Sequence, residues 1–529
     1  MEVPLKNPTC LRKRFHPVSY IFTLLLLLAA LACSSLAVRA ADTSQPADAA
    51  ETGNSSGTED PAVTEDPEPP AEPLKGWQTI EEKRYYYNNG SPVTGLRTIG
   101  GIKYYFDPQD GGAMKTGFIK ITRSGTSYMH YFMDSDYARY DPAGEGRMMT
   151  GWTTVSGRTY FFADSRFPKL PVGVRLTGFR KISGSTFYLA NAACPDRPWG
   201  TQVTGWAKIN GQTYYFADKD CPSEKTAGKM MTGIVKISGN KYYFASNGVR
   251  KTGFQTIGGK KYYFANSSCP DHTWAAMVTG LVKIGNYTYY FDNNGVMQKG
   301  WVKIDGTRRY FDKNGRNKVP VVVLDPGHSS EVAGGTEPIG PGASQRKAAD
   351  TSGTRGVYTR VYEYQLALKI ALKLRTSLEA RGYRVIMTRS TNKGTYSCVE
   401  RAQVANDNNA DIFFRIHANA DPNSSSRTGA MTICITKKNP YIPGMYKQSR
   451  LLSDKVLNSY VKATGCKKEF VWERDDMSGN NWSKVPTTLI EMGYMTNAAE
   501  DKKMQNAEYQ KKMVSGIASG IDQYFNSIR

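Results

Sequence analysis

Ten times between residues 76 and 318 a glycine followed by a ring or an aliphatic side chain is succeeded, about nine residues later, by a Tyr-Tyr-Phe-like triplet. Gly76-Trp77, Gly95-Leu96, Gly205-Trp206 and Gly300-Trp301 are such starts, and KINGQTYYF and TIGGKKYYF show the body of the unit. The Asn-Gly, Gly-Gly, Ser-Gly or Asp-Gly pair between the two halves supplies the positive φ angles of a two-residue turn, and β-formers alternate on either side. Each unit is therefore expected to be a β-hairpin. A lone hairpin is marginal in water, so the units are expected to stack as a solenoid that buries one hairpin's aromatic face against the next. Starts recur every 19 to 34 residues, and polar inserts such as NAACPDRPWGTQVTG fill the longer periods.

At 529 residues the chain is too long for one core, and its composition divides it. Residues 1–40 carry Lys6, Arg12, Lys13 and Arg14, an apolar run from Tyr20 to Leu31, and Val38-Arg39-Ala40 ahead of Ala41. That is the pattern of an export signal. Processing at Cys33 as a lipid-attachment site is the alternative. The apolar run is shorter than the roughly 20 residues needed to span a bilayer, and no later segment predicts a transmembrane span. Residues 41–75, rich in Pro, Ser, Thr, Asp and Glu, are expected to form a disordered acidic tether. The repeats at 76–318 then hold 34 Lys and Arg against 17 Asp and Glu, net +17, and residues 319–529 hold 29 against 20, net +9. A basic array on an exported chain suits an anionic partner; export favours an acidic wall polymer over nucleic acid. The cysteines show no paired metal-ligand spacing and imply no disulfide framework.

Beyond Pro320 the period changes. Val321–Leu324 reads as a strand buried on both faces, followed by a Gly/Pro-rich loop through Thr354 and a helix over 361–380. Strands over 384–388, 412–416, 430–436 and 487–491 then alternate with helices over 396–409, 446–463 and 508–525. The prediction is a three-layer α/β domain with a largely parallel or mixed sheet. The expected whole is a multidomain chain, a β-hairpin solenoid over 76–318 followed by this α/β domain over 319–529.

His328 follows the first strand, Glu363 opens the first helix, His417 ends a central strand and Glu491 ends the late strand. Two imidazoles and a carboxylate suit a zinc ion that keeps a fourth position for water, and a further carboxylate can take that water's proton. Glu331 and Glu337, inside the loop, are the alternatives to Glu363 as the carboxylate ligand. A helix start is the more rigid platform. Arg415 shares a strand face with His417 and can meet either a substrate carboxylate or a supporting acid.

VVVLDPGH, VYEYQLALKIALKL, GYRVIMTR, ERAQVAN, FFRIHANA and LIEMGYMTN, in that order, resemble the zinc-dependent N-acetylmuramoyl-L-alanine amidases of the third amidase family. The resemblance implies that His328, Glu363 and His417 bind one Zn2+, that Glu491 is the catalytic carboxylate, and that the substrate is the amide joining N-acetylmuramic acid to L-alanine in peptidoglycan. It brings Arg389, Arg401, Asn406 and Asn419 into the matching blocks as candidates for substrate contact. Ser329-Ser330 stand where Gly-Gly is common, and Arg415 where Ser is common. The repeats resemble choline-binding and glucan-binding wall-anchoring repeats of Gram-positive surface proteins, which implies a secreted, wall-associated chain. In that family a quaternary ammonium sits in a cage of rings. Here the leading ring is Trp at Trp77, Trp152, Trp206 and Trp301 only, the candidates for contact with a teichoic acid or glycan; the other reading makes the rings, Tyr215, Tyr243 and Tyr263 among them, simply array core. Two further readings stay open: a non-catalytic surface adhesin, and a zinc endopeptidase of the stem peptide.

Overall fold

Gly76 pairs with Tyr87, Gly205 with Phe216 and Gly300 with Phe311, so the repeat unit is an antiparallel hairpin with its glycine opposite the end of the triplet. The computed structural model describes residues 72–138, 144–221 and 223–528. The expected export signal, its Cys33 alternative and the tether up to residue 71 lie outside them. At the turn between Ile209 and Gln212, Asn210 and Gly211 both take positive φ, 47° and 77°, the two-residue geometry that matches strand twist.

Ladder bonds also run between hairpins. The segment leaving one hairpin returns to the hairpin before it: Arg175 N donates to Met129 O, Gln202 N to Thr159 O and Met277 N to Lys241 O, each at 2.7 Å. The triplet's last ring is fully buried at Phe106, Phe132, Phe216, Phe264 and Phe311. Each hairpin thus completes the core of its neighbour, which a single unit could not do.

The C-terminal part is built on six strands, β1 (Val321–Pro326), β2 (Arg384–Met387), β3 (Ile412–Asn419), β4 (Ala430–Cys434), β5 (Lys468–Glu473) and β6 (Thr487–Tyr494). They lie in the order β2-β1-β3-β6-β4-β5; the β4–β6 pair is antiparallel and the others are parallel, so the sheet is mixed. Helices α1 (Glu363–Glu379), α2 (Cys398–Asp407), α3 (Tyr446–Thr464), α4 (Ser478–Asn481), α5 (Ala498–Gln505) and α6 (Ala507–Ser527) flank it. Val322 and Leu324 of β1 pack in one cluster with α1, α3 and α6, whereas Val323 faces Ala402 and Ala405 of α2. One strand thus feeds two cores. Burying each such aliphatic side chain stabilises by about 1.5–3 kcal/mol.

Three elements depart from expectation. β5 alternates exposed and half-buried residues at the sheet edge and carries no continuous apolar run. The Gly/Pro-rich segment after His328 is not loop throughout: Thr336–Pro338 pairs antiparallel with Arg346–Ala348. The short α5 is capped by Asn497, whose side chain accepts from the Ala499 and Glu500 N–H groups. Among the described residues no helix is long and apolar enough to cross a membrane.

The last hairpin is seated on the α/β part. Trp301 lies edge-on to Tyr383 with centroids 4.9 Å apart, and its indole N–H donates to the Tyr383 hydroxyl at 3.2 Å. Asp522 of α6 accepts from that hydroxyl at 2.8 Å, from Arg381 at 2.6 Å and from Arg308 of the hairpin at 2.9 Å. Trp301 is therefore engaged inside the molecule, unlike Trp152 and Trp206, which are exposed.

Candidate metal centre

β1 and β3 run parallel and end side by side, with Pro326 opposite Ile416. His328 sits two residues past the end of β1, held at φ 56°, and His417 lies within β3, opposite Glu491 of β6. α1 opens at Glu363 on the same side. The sequence places four chemically able side chains on or just past four elements, β1, α1, β3 and β6; the parallel register brings them to one end of the sheet.

Glu363 is the hub. Its Oε1 accepts from His417 Nδ1 at 2.9 Å and from the Ala418 N–H at 3.2 Å, and lies 3.3 Å from His328 Nε2. Its Oε2 accepts from the Thr354 N–H at 3.0 Å. One donor atom from each of His328, Glu363 and His417 falls within 4.8 Å of the others. His328 is oriented by its other nitrogen, which donates to the Thr351 carbonyl at 2.7 Å and lies 3.6 Å from Asp350. An imidazole tied through one nitrogen presents the other in a fixed direction.

Three polar atoms of residues on this site are buried without a hydrogen-bond partner, His417 Nε2, Glu491 Oε2 and Asp350 Oδ2, the last lying 3.8 Å from the Arg401 guanidinium. Leaving such an atom unmatched costs about 1–3 kcal/mol, and a cation with its bound solvent would remove that penalty at His417 and Glu491. Two nitrogens and a carboxylate oxygen converging on one point fit a divalent transition ion. The electrostatics of the two rings differ. Burial pushes His417 down to about 4, despite the Glu363 carboxylate, so its ring is neutral near pH 7 with a lone pair to offer. Burial also works to lower His328, but Glu363 and Asp350 outweigh it and lift the ring to about 10. Burial and the neighbouring Glu363 carboxylate both push Glu491 well above the usual carboxylate range.

All four groups line one cavity of about 370 Å³, together with Lys347, Asp350, Arg415 and Asn419. Glycines set its walls: a Cβ on Gly353, at φ 68°, would come within 2.7 Å of both Glu363 Oε2 and the His328 ring. Sequence reasoning missed Asp350, Thr351 and Gly353; they lie in the long segment after His328, which the structure folds back over the site. Of the alternative carboxylates, Glu331 is exposed, and Glu337 accepts from Val399 N at 3.0 Å and from the Ser478 hydroxyl.

The remaining candidates divide. Arg389 donates to the carbonyls of Pro326, Gly327, Tyr364 and Thr391, and Arg401 to those of Pro326, His328 and Tyr396. Both hold the His328 loop by its backbone. Arg401 and Arg415 converge on Asp325, at 2.9 and 3.0 Å, and Thr388 adds a hydroxyl at 2.7 Å. Burial would raise Asp325, but the two guanidiniums outweigh it and hold the carboxyl well below its ordinary range. The supporting acid of Arg415 is thus Asp325. Asn406 donates to Trp482 O and accepts from Lys484 N, away from the cavity, whereas Asn419 is on its wall.

The N-acetylmuramoyl-L-alanine amidase family matches residues 322–523. Choline-binding repeats match 203–251 and 278–319, and cell wall binding repeats match 94–111 and 252–268. The chain is similar to an N-acetylmuramoyl-L-alanine amidase of Mycobacterium tuberculosis, 28% identical over 207 residues, which are 38% of this chain and 84% of that protein. It is also 28% identical over 206 residues to the amidase LytC of Bacillus subtilis, 39% of this chain but only 35% of that one. A solved N-acetylmuramoyl-L-alanine amidase from Clostridium difficile 630 is 28% identical, with 40% of this chain and 98% of that chain covered and a TM-score of 0.32.

Proposed function

From an N-acetylmuramoyl-L-alanine amidase domain standing behind choline-binding-type wall repeats, we propose that this chain is a secreted zinc hydrolase of peptidoglycan. It cuts the amide between N-acetylmuramic acid and L-alanine while its repeats, stacked as a solenoid, hold it to an anionic wall polymer. The carrying observation is the convergence of His328, Glu363 and His417 within 4.8 Å, beside a carboxylate oxygen that nothing else engages.

His328, Glu363 and His417 hold the ion. When bound, zinc supplies Lewis acidity that polarises the scissile carbonyl and acidifies water. Glu491 moves the proton: its Oε2 takes it from the attacking water as the C–O bond forms, and returns it to the departing alanine nitrogen as the C–N bond breaks. Asp350 and Thr351 keep His328 aimed, and the Asp325–Arg401–Arg415 cluster fixes the strand ends that carry both histidines. Anchoring raises the local concentration of substrate without any new contact at the reaction centre.

The test is product analysis on isolated sacculi. New amino termini should be L-alanine, chelator should abolish their release, and Glu491→Gln should lower turnover by at least a hundredfold with about one zinc per chain still bound. A Glu491→Gln protein that lyses walls at the normal rate, or new termini other than alanine, would overturn the reading.

A further inference from the structure

Seven of the ten hairpins lead with a ring, and in all but the last that ring meets one from its own second strand and one from the next hairpin. Phe118 contacts Tyr131 and Tyr160, with centroids 4.9 and 5.2 Å away; Trp206 contacts Tyr215 and Tyr242, at 4.9 and 5.0 Å. The segment leaving that next hairpin supplies a fourth side chain, three residues ahead of a leading glycine. At this repeat position stand Met114, Met148, Met230, Met277 and Met297, with Pro92 and Gln202 once each, but Arg175 and Arg250 in two copies of Gly-Val-Arg-x-Thr-Gly-Phe.

Arg175 lies over the Phe118 ring at 5.5 Å from its centroid and Arg250 over Trp206 at 5.2 Å. The Arg175 stem is clamped, since a Cβ at Gly200 would come within 2.7 Å of its Cδ. Neither guanidinium has a carboxylate partner among the described residues, and Arg175 Nε is buried without a hydrogen bond. Burial lowers the pKa of both.

The geometry points to two oxyanion sites, at Arg175 on the Phe118 ring cluster and at Arg250 on the Trp206 cluster, that bind phosphate or carboxylate groups of an anionic wall polymer. A ring face normally free for a quaternary ammonium carries a tethered cation here, so such a ligand meets like charge. A guanidinium held flat on a ring keeps its planar fork of donors, which suits an oxyanion better than any point charge. Five flexible methionines at the same position show that the fold does not need the arginines. Their charge is therefore directed at something outside the chain. This inference rests on the wall-anchoring reading and names the chemistry of its ligand.

The full chain and its Arg175→Met/Arg250→Met variant, which installs the residue other repeats already carry, are titrated with poly(glycerol phosphate) and polygalacturonate, and with choline chloride as competitor. The double variant should bind one polyanion at least about tenfold more weakly, with a shallower salt dependence and an unchanged thermal melt; choline should not compete. Loss confined to the first polymer assigns phosphodiesters, loss confined to the second assigns carboxylates, and equal loss for both assigns a general oxyanion site. Unchanged affinity for both, or choline displacing the polymer from the wild type, overturns the inference. Sedimentation with isolated walls separates the two readings: if the wild type stays in solution, anchoring itself fails; if wild type and variant pellet alike, only the arginine sites fail.

Discussion

Asp325 carries no chemistry of its own, yet two of the largest buried charges in the α/β domain depend on it. Its carboxylate is fully buried and matched to Arg401 and Arg415. Asp325→Asn removes the acid paired with Arg415 and leaves Arg401 with only Asp350, 3.8 Å away, and backbone carbonyls; breaking such a buried pair costs about 3–5 kcal/mol, measurable as a lower urea midpoint at pH 7. The pH dependence has a definite sign. Because the folded pKa is depressed, the stabilisation is complete above the unfolded value of about 3.9 and is lost as pH falls through the folded one. The wild type should therefore destabilise more steeply than Asp325→Asn below about pH 4; parallel acid limbs would exclude this role. Gly353 acts at the same scale. A methyl there, at φ 68° and 2.7 Å from Glu363 and His328, should weaken zinc about tenfold or more, read by competition with a chromogenic chelator. The histidines and glutamates were legible because each lies in or beside a recognisable element, though β3 and β6 run on past His417 and Glu491. Gly353, Asp350 and Thr351 were not, because their role depends on a segment folding back. Arg389 and Arg401 bond mainly backbone carbonyls, which leave no signature in residue identity.

At the scale of elements, alternation with paired turn residues was enough to read the hairpins. The strands of the mixed sheet were legible where both faces are buried, as in Val321–Leu324. β5 escaped because its alternation runs against the usual sense: the half-buried face of Lys468–Glu473 is Glu469, Val471 and Glu473, while Phe470 and Trp472 are exposed at the sheet edge. The packing of α3 on α6 was likewise invisible. Gly516 and Gly520 lie one turn apart, but only the structure shows their partners: a Cβ at Gly520 would stand 2.5 Å from Val456 Cα, and one at Gly516 2.8 Å from Tyr460 Cα. Gly520→Val should force the helices apart at a cost of roughly 3 kcal/mol or more, visible in calorimetry as a lower melting temperature. A melt within a degree of wild type would mean that α3 and α6 can separate freely.

Across the whole molecule, the boundary drawn from composition at residue 318 does not coincide with an energetic boundary. The tenth hairpin has the repeat sequence, but its leading Trp301 packs on Tyr383, and Arg308 shares Asp522 with Arg381 and Tyr383. Tyr310 extends the same contact, reaching Phe525 with its ring and its hydroxyl. These are contacts of a core, half-buried at the indole and buried at Tyr310. A repeat tryptophan therefore has two possible consequences when truncated. Trp301→Ala should destabilise the α/β domain by roughly 2 kcal/mol, about half the loss typical of a fully buried tryptophan, and lower the melting temperature at which amidase activity disappears. Trp152→Ala, whose ring is exposed among Phe161 and Phe187, should leave that temperature unchanged and reduce retention on isolated walls. If the two variants behave alike in both assays, the last hairpin is an ordinary repeat. If they separate as described, a fragment beginning at residue 319 should be less stable than one beginning at residue 294, because only the longer piece keeps the surface on which α6 rests.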